Sequence, residues 1–162
     1  MRFTRFVLLA TATAGFSVSA FAQGAPAQKV VTLDLAQSLA QEAMTSCRAS
    51  GYKVTVLVVD ALNMPKAMLR DDGATASTTE VAKMKATATM LYNRPSGPAQ
   101  PLPPGTAAPP ATIAGTINAQ GGVPIKAGDM TIGAIAVSGA PGGDKDAACA
   151  TAALAKFAEK LK

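Results

Sequence analysis

Residues 53–70, KVTVLVVDALNMPKAMLR, decide the fold more clearly than any other stretch of the chain. Residues 54–60 are almost all aliphatic or β-branched, which is typical of a strand covered on both faces. Residues 65–70 predict a second, weaker strand, with a short connection at 61–64. Asn63 is the expected pivot, because asparagine tolerates the left-handed backbone that tight connections need. We therefore expect a β-hairpin at the centre of a sheet.

The first 22 residues have the pattern of a secretory signal peptide. Arg2 and Arg5 precede an apolar run over 6–18, and small residues lead up to Gln23. The alternative, an uncleaved anchor or buried helix, is less favoured because the apolar run is short for a bilayer. We expect export to the periplasm or the exterior, with no stable membrane insertion after cleavage. Residues 23–31 would form a flexible spacer, and 32–162 a single domain.

The two cysteines suit an exported protein. Cys47 and Cys149 predict a disulfide, which would close a loop of roughly 100 residues and contribute about 4 kcal/mol in the chain-entropy model. Two separate buried thiols are the alternative, since spacing alone does not prove proximity. With no histidine in the chain, we expect neither a metal site nor histidine-dependent catalysis. The residues alone show no catalytic apparatus.

Charge and partners follow from the same composition. The formal net charge is +5, but lysine and arginine are scattered and do not form a basic stripe interleaved with aromatic residues. Nucleic acid is therefore not an expected partner. Residues 94–110 are rich in proline and predict an insert that is neither helix nor inner strand. A solvated loop is the simpler interpretation of it, and a polyproline II arm that reaches a partner is the alternative.

Three helices are expected around the hairpin. Thr32 would cap a helix over 33–49 that ends at Gly51, with Cys47 near its buried face. A serine–glutamate capping box at Ser77 and Glu80 would begin a helix running to about Tyr92. Asp144 would open the last helix. The expected inward residues are Val81, Met84, Ala88 and Leu91 in the second helix, and Ala147, Ala150, Leu154, Phe157 and Leu161 in the third.

Further strands are expected in the second half of the chain. Residues 111–117 suggest a short strand, and Gly121 and Gly122 precede another. Residues 129–137, DMTIGAIAV, predict a strand buried on both faces, in which Gly133 allows close backbone approach. A turn at 126–129 would join the last two strands. The glycine-rich loop at 139–143 precedes a helix, but it lacks a phosphate-binding motif and is best interpreted as a plain connection.

Three blocks of sequence resemble a known family. VTVLVVDALNMPKAMLRDDGA, VAKMKATATM and GGVPIKAGDMTIGAIAVSGAPGGDKDAACA together are similar to the GlcG/HbpS-like haem-degrading domain family. The resemblance implies an α/β (α+β) fold, with a central antiparallel sheet flanked by helices in a profilin-like arrangement. It also implies homo-oligomers. This chain departs from the family pattern at Asn63 and Ala136, where glycine is usual, and in its proline-rich insert.

The resemblance also implies a ligand and a candidate site. The first hypothesis is an exported haem-binding protein that promotes oxidative haem breakdown, with Arg70 and Lys85 pairing with the propionates. A non-catalytic oligomeric or sensor-accessory module and a binder of small 2-hydroxy acids are the alternatives. The same residues could instead form a structural network, with Arg70 paired to an aspartate and Lys85 solvated or at a subunit contact. The residues of the family blocks expected to line the cleft are Arg70, Asp72, Lys85, Thr87, Gly121 and Gly122.

Overall fold

The computed structural model describes residues 29–97 and 113–162. The predicted signal peptide, most of the spacer and residues 98–110 of the proline-rich insert lie outside these ranges. The elements in chain order are α1 Leu33–Ala49, β1 Thr55–Asp60, β2 Pro65–Arg70, α2 Ala76–Tyr92, β3 Gly122–Ala127, β4 Met130–Ser138, α3 Gly143–Lys156 and a final 3-10 turn, Ala158–Leu161.

The four strands form one antiparallel sheet in the order β2-β1-β4-β3. The predicted hairpin is confirmed, and β1 is one of the two central strands, buried on both faces as its sequence indicates. Asn63 turns the hairpin with a φ of 59°. Gly133 faces Asp60 in the β1–β4 ladder, where an added methyl group would collide with the carbonyl oxygen of Val59. Close backbone approach at Gly133 is therefore confirmed too.

Helices cover both faces of the sheet. The side chains of Val54, Val56 and Val58 point into a core shared with α1 and α3, and those of Leu57 and Val59 into a smaller core under α2. Because successive strand residues face opposite sides, one β-branched strand supplies both cores. Cys47 in α1 and Cys149 in α3 form a disulfide, so the predicted pairing of the two terminal helices is confirmed.

The start of α2 differs from the prediction. The helix begins at Ala76 after Thr75, and the expected capping box is absent. Ser77 Oγ instead lies 2.9 Å from Thr75 Oγ1, and the Glu80 carboxylate pairs with Lys83 at 2.9 Å. Several hydroxyl residues occur together at 75–78, and the hydrogen bond from Thr78 to the Thr75 carbonyl helps to fix the earlier start. The predicted helix end at Tyr92 is confirmed.

The buried face of α2 is also different. Of the four expected inward residues, Ala88 is buried, whereas Leu91 is 51% exposed. Val81 and Met84 are half-buried, and the inner face is formed by Ala82, Lys85, Ala86, Ala88 and Thr89. Alanines let the helix approach the sheet closely, so small residues replace the larger stripe that periodicity favoured.

Two other expectations are corrected. The described part of the expected strand at 111–117 is a turn, in which Thr116 donates its backbone N–H to the carbonyl of Ile113. The last helix begins at Gly143, one residue before Asp144. Its predicted stripe holds for Ala150, which is buried. Ala147 is half-buried, and Leu154, Phe157 and Leu161 are partly buried against the larger core.

An ion pair fastens the connection after β2 to the end of α1. The guanidinium of Arg48 makes two hydrogen bonds to the Asp71 carboxylate, at 3.0 and 2.8 Å. The Asp71 side chain is 2% exposed, whereas that of Arg48 is half exposed. The hydrogen bond from Arg48 holds the pKa of the Asp71 carboxyl below its ordinary value of 3.8. Asp71 therefore stabilises the fold in its ionised form.

Asp71→Asn should lower the melting temperature at neutral pH, because it removes the charge that Arg48 binds. Since the folded pKa is depressed, this stabilisation is present above pH 3.8 and is lost as the pH falls through the folded pKa. Thermal melts of wild type and variant should therefore converge below pH 3.8. Asp72→Asn, at the exposed neighbouring position, is the matched control and should change little. A difference in melting temperature between wild type and Asp71→Asn that stays constant on acidification would contradict the stabilising role of the ionised Asp71 carboxylate.

Candidate functional site

The six predicted site residues divide between two places. Lys85, Gly121 and Gly122 meet in a buried cluster where α2 approaches the start of β3. Arg70 and Thr87 lie instead on the side of α2 that faces the β1–β2 hairpin, and Asp72 lies exposed in the turn that follows β2. The structure therefore does not bring all six together in one cleft.

Lys85 occupies the centre of the buried cluster. Its Nζ lies 2.7 Å from Asp146 Oδ2 and donates a hydrogen bond of 2.9 Å to the Val137 carbonyl. Both charged side chains are nearly inaccessible, with 3% of Lys85 and 4% of Asp146 exposed. Asp146 Oδ1 accepts a further hydrogen bond from the backbone N–H of Ala140. The pair thus joins α2, the end of β4 and the start of α3.

The two glycines form the wall of this cluster. Gly121 has a φ of +130°, and a methyl group there would lie 2.5 Å from the Val137 carbonyl oxygen and 2.6 Å from Lys85 Nζ. At Gly122 the same group would collide with Thr89 Oγ1 and approach the Lys85 carbonyl oxygen to 2.7 Å. A side chain at position 121 would displace the ion pair, and one at position 122 would push α2 away from β3. This close packing explains why two consecutive glycines occur at positions 121 and 122.

Burial of the carboxylate sets the electrostatics of the cluster. Desolvation raises the pKa of Asp146, and the hydrogen bonds from Lys85 and the Ala140 N–H act in the opposite direction. Lys85 could reach a ligand carboxylate only by giving up Asp146, which would leave a buried charge without compensation. Lys85 is neither solvated nor exposed for a subunit contact. Its geometry is that of a structural partner.

Lys85→Met should destabilise the protein by about 3–5 kcal/mol, because it leaves the buried Asp146 carboxylate without its cation. Chemical denaturation at neutral pH measures the difference. Lys83→Met on the same helix is the matched control: Lys83 is half exposed, so its loss should cost less than about 0.5 kcal/mol. Equal effects of the two substitutions would refute the structural role of Lys85.

Gly121→Ala should destabilise the fold by about 2 kcal/mol or more, since a positive φ and steric collision with Lys85 act together. Gly128→Ala separates the two effects. Gly128 also has a positive φ, of +61°, but an added methyl group meets no atom within 4 Å. The control should therefore lose only about 1 kcal/mol. Denaturation midpoints that fall equally in both variants would show that the contact with Lys85 is unimportant.

A different surface, open to solvent, lies beside α2. Met68 pairs with Leu57 and Arg70 with Thr55 in the β1–β2 ladder. Directly paired residues share a face of the sheet. Leu57 packs under α2, and Thr55 Oγ1 lies 2.7 Å from Thr78 Oγ1 on that helix. The side chains of Met68 and Arg70 therefore face the α2 side of the sheet.

This surface is left open because α2 packs on β1, β3 and β4 rather than on β2. Met68 is 37% exposed as a result, and the Arg70 guanidinium donates a hydrogen bond to the Ala74 carbonyl while remaining accessible to solvent. The β2 ledge, as we call it, consists of Met68, Arg70 and Thr87 together with Leu62 and Met64, the exposed apolar residues of the adjoining hairpin turn.

The hairpin turn forms the apolar end of the β2 ledge. Leu62 and Met64 are both strongly exposed on either side of Asn63. Asn63 Nδ2 donates a hydrogen bond of 3.0 Å to Thr87 Oγ1, which holds the turn against α2. Asn63 Oδ1 is buried and has no hydrogen-bond partner within the described part of the chain. Sequence analysis identified Arg70 and Thr87 but missed the methionines, because dispersed methionines resemble core filler.

The outer edge of β2 carries a groove as well. The groove has a volume of about 420 Å³ and lies between α1 and β2. Its lining combines two glutamines of α1 with four consecutive residues of the strand: Gln37, Gln41, Lys66, Ala67, Met68 and Leu69. The β2 ledge and this groove adjoin the same strand from different sides.

Over residues 29–97 and 113–162, no group of acidic, histidine or cysteine side chains could hold a metal ion. No helix in the same ranges is long and apolar enough to cross a membrane. The β2 ledge itself offers an apolar surface, one guanidinium and the polar atoms of Asn63 and Thr87.

Comparison with known proteins identifies the family. A family model described as "Haem degrading protein HbpS-like" matches residues 31–155. The chain belongs to the HbpS-like family. The match includes both the buried cluster and the β2 ledge. No curated protein matches this HbpS-like chain.

Solved structures show the same fold. A crystal structure of HbpS aligns with this HbpS-like chain at 27% identity and a TM-score of 0.69, covering 86% of this chain and 99% of HbpS. Klebsiella pneumoniae protein ORFY aligns at 24% identity and a TM-score of 0.71, covering 83% and 96%. A PduOC:heme complex aligns at 19% identity and a TM-score of 0.67, covering 78% and 94%. The predicted antiparallel sheet flanked by helices is thereby confirmed.

Proposed function

We propose that this protein is an exported haem-binding protein whose ligand lies on the β2 ledge. The HbpS-like family match over residues 31–155 carries the proposal. The structure of PduOC was solved in complex with haem, which supports the use of this fold for that ligand. The Cys47–Cys149 disulfide supports an oxidising compartment, either the periplasm or the exterior.

The β2 ledge has the chemistry that haem requires. Leu62, Met64 and Met68 offer accessible apolar area for the macrocycle. Arg70 offers a guanidinium for a propionate, and its hydrogen bond to Ala74 leaves further N–H donors free for that contact. The thioethers are soft donors of the kind that haem iron accepts in some cytochromes. Haem supplies redox chemistry when bound, and the protein residues hold and orient it.

The buried cluster is less suited to this ligand. Lys85 is paired, Gly121 and Gly122 leave no space, and the whole group is shielded from solvent. Of the two cations expected to pair with the propionates, we therefore retain Arg70 and assign Lys85 a role in stabilising the fold. We extend the proposal to promotion of haem breakdown, as the family description suggests.

Haem titration of the chain from residue 23 onward tests the proposal. We expect a Soret shift for wild type and about ten-fold weaker binding for Arg70→Ala, because one charge-assisted contact of about 1.4 kcal/mol is lost. Lys126→Ala on the opposite edge strand is the matched control, since it also removes one exposed cation. Adding a reductant and oxygen to the same samples shows whether bound haem is degraded.

Two results would contradict the proposal. The absence of a Soret shift at micromolar haem would remove haem binding itself. Equal affinity of wild type, Arg70→Ala and Lys126→Ala would remove the β2 ledge as the site while leaving the ligand in place. Melting curves of each variant confirm that a loss of affinity does not arise from unfolding.

A further inference from the structure

We propose that the free edge of β2 binds an extended, acidic segment of a partner protein, which adds to the sheet as a fifth strand. The proposal concerns the backbone edge of β2 and the adjoining groove. It does not depend on haem binding. Its basis is the orientation of backbone groups, the difference between the two sheet edges, and the local charge.

The ladder between β1 and β2 fixes which backbone groups of β2 are free. The Asp71 N–H donates to the Val54 carbonyl at 2.9 Å, so these two residues form a hydrogen-bonded pair. Such pairs alternate along an antiparallel ladder, and Leu69 and Ala67 therefore also point their backbone groups at β1. Met68 and Arg70 point theirs outward. These N–H and C=O groups have the spacing that a further strand needs.

The opposite edge of the sheet is closed. On β3, the N–H of Gly122 donates to Ser96 Oγ at 2.8 Å, and the Gly122 carbonyl accepts from the Ser96 N–H at 3.0 Å. Pro124, two residues on, has no N–H to offer. The outward backbone groups of β3 are thus partly occupied and partly missing. On β2 the proline is at the first position, and the rest of the edge is open.

The groove beside β2 gives such a segment space and polar contacts. Gln37 and Gln41 are four residues apart on α1, so their exposed side chains lie on one face and line one wall. Both amides can donate and accept hydrogen bonds. Ala67 and Leu69 contribute apolar lining, and the groove volume of about 420 Å³ is accessible from solvent. An extended backbone with alternating side chains fits this mixture of polar and apolar contacts.

The positive charges on β2 favour an acidic segment at its free edge. Lys66 and Arg70 are both exposed on β2. Asp60 Oδ1 accepts hydrogen bonds from the backbone N–H groups of Leu62 and Met64, and Asp60 Oδ2 lies 3.9 Å from Lys66 Nζ. This long, solvent-accessible ion pair leaves Lys66 able to meet a further carboxylate. If two copies paired antiparallel about Met68, Lys66 of one copy would face Arg70 of the other. Like charges directly opposite each other destabilise a strand pair. A second copy is therefore disfavoured in this register, whereas glutamate or aspartate in the added strand would meet both cations.

Fluorescence anisotropy with a labelled peptide tests the proposal. The probe is a peptide of about seven residues, alternating glutamate and valine, which matches the length of a typical strand. Two further versions carry N-methyl groups on alternate amides, one set on each edge of the peptide. Strand addition predicts that one methylated version binds like the parent and the other loses at least about ten-fold in affinity. A lysine–valine peptide should not bind.

Variants of the folded chain complete the test. Lys66→Glu should weaken binding of the acidic peptide by about ten-fold, because it reverses one of the two charges that the peptide would meet. Lys126→Glu, on the closed edge, is the matched control and should have no effect on the peptide. Equal binding of both methylated peptides would overturn strand addition, and so would the absence of binding. Concentration-dependent dimerisation that blocks the peptide would identify a second copy as the occupant instead.

Discussion

The ion pair between Lys85 and Asp146 is the constraint on which the other parts of this structure depend. The pair joins α2, on one face of the sheet, to the start of α3, on the other. It also restricts the residues around it, because a side chain at Gly121 would collide with Lys85 Nζ and Asp146, and the helix backbone at Lys85 leaves no room for one at Gly122. Two charges removed from water are costly, so each needs the other and its additional backbone hydrogen bonds.

This constraint is the reason why we propose a ligand surface away from the buried cluster. Lys85 and the two glycines belong to the blocks that resemble the family, and by residue type they suit a cleft that binds an anion. In the structure they are occupied with one another, leaving no space between them for a ligand. The accessible residues of the same blocks are beside β2, where α2 does not cover the sheet. The sequence blocks that resemble the family therefore contain buried residues that hold the fold together as well as exposed residues that a ligand can reach, and only the burial of each side chain distinguishes the two groups.

The sequence predicted the structure best where a residue pattern is compatible with only one kind of element or bond. A run of aliphatic and β-branched residues over 54–59, ended by Asp60, favours an inner strand, and the two cysteines of a chain expected to be exported strongly favoured a disulfide. It was least informative for α2, in which alanines and a buried lysine form the inner face. Lysine usually faces solvent, so no periodicity analysis would place Lys85 inside without knowing about Asp146, which is 61 residues away.

The buried Asn63 Oδ1 could not be foreseen for a similar reason. Its environment depends on how the hairpin turn meets Thr87, a contact between residues 24 positions apart. The left-handed backbone of Asn63 was predictable, since asparagine adopts it readily. The missing partner of its oxygen is a tertiary property. The turn at Asn63 could thus be predicted from the sequence, whereas the unsatisfied Oδ1 atom could be found only from the folded structure.

The inequality of the two sheet edges limits what the protein can assemble into. Open-ended growth of a sheet from chain to chain needs a donor edge and an acceptor edge on every copy. Here Pro124 and Ser96 prevent β3 from acting as one of them. A strand added at β2 in the proposed way would therefore not be matched by pairing at β3. Extension of the sheet through both edges of one copy is disfavoured, while the β2 edge stays accessible.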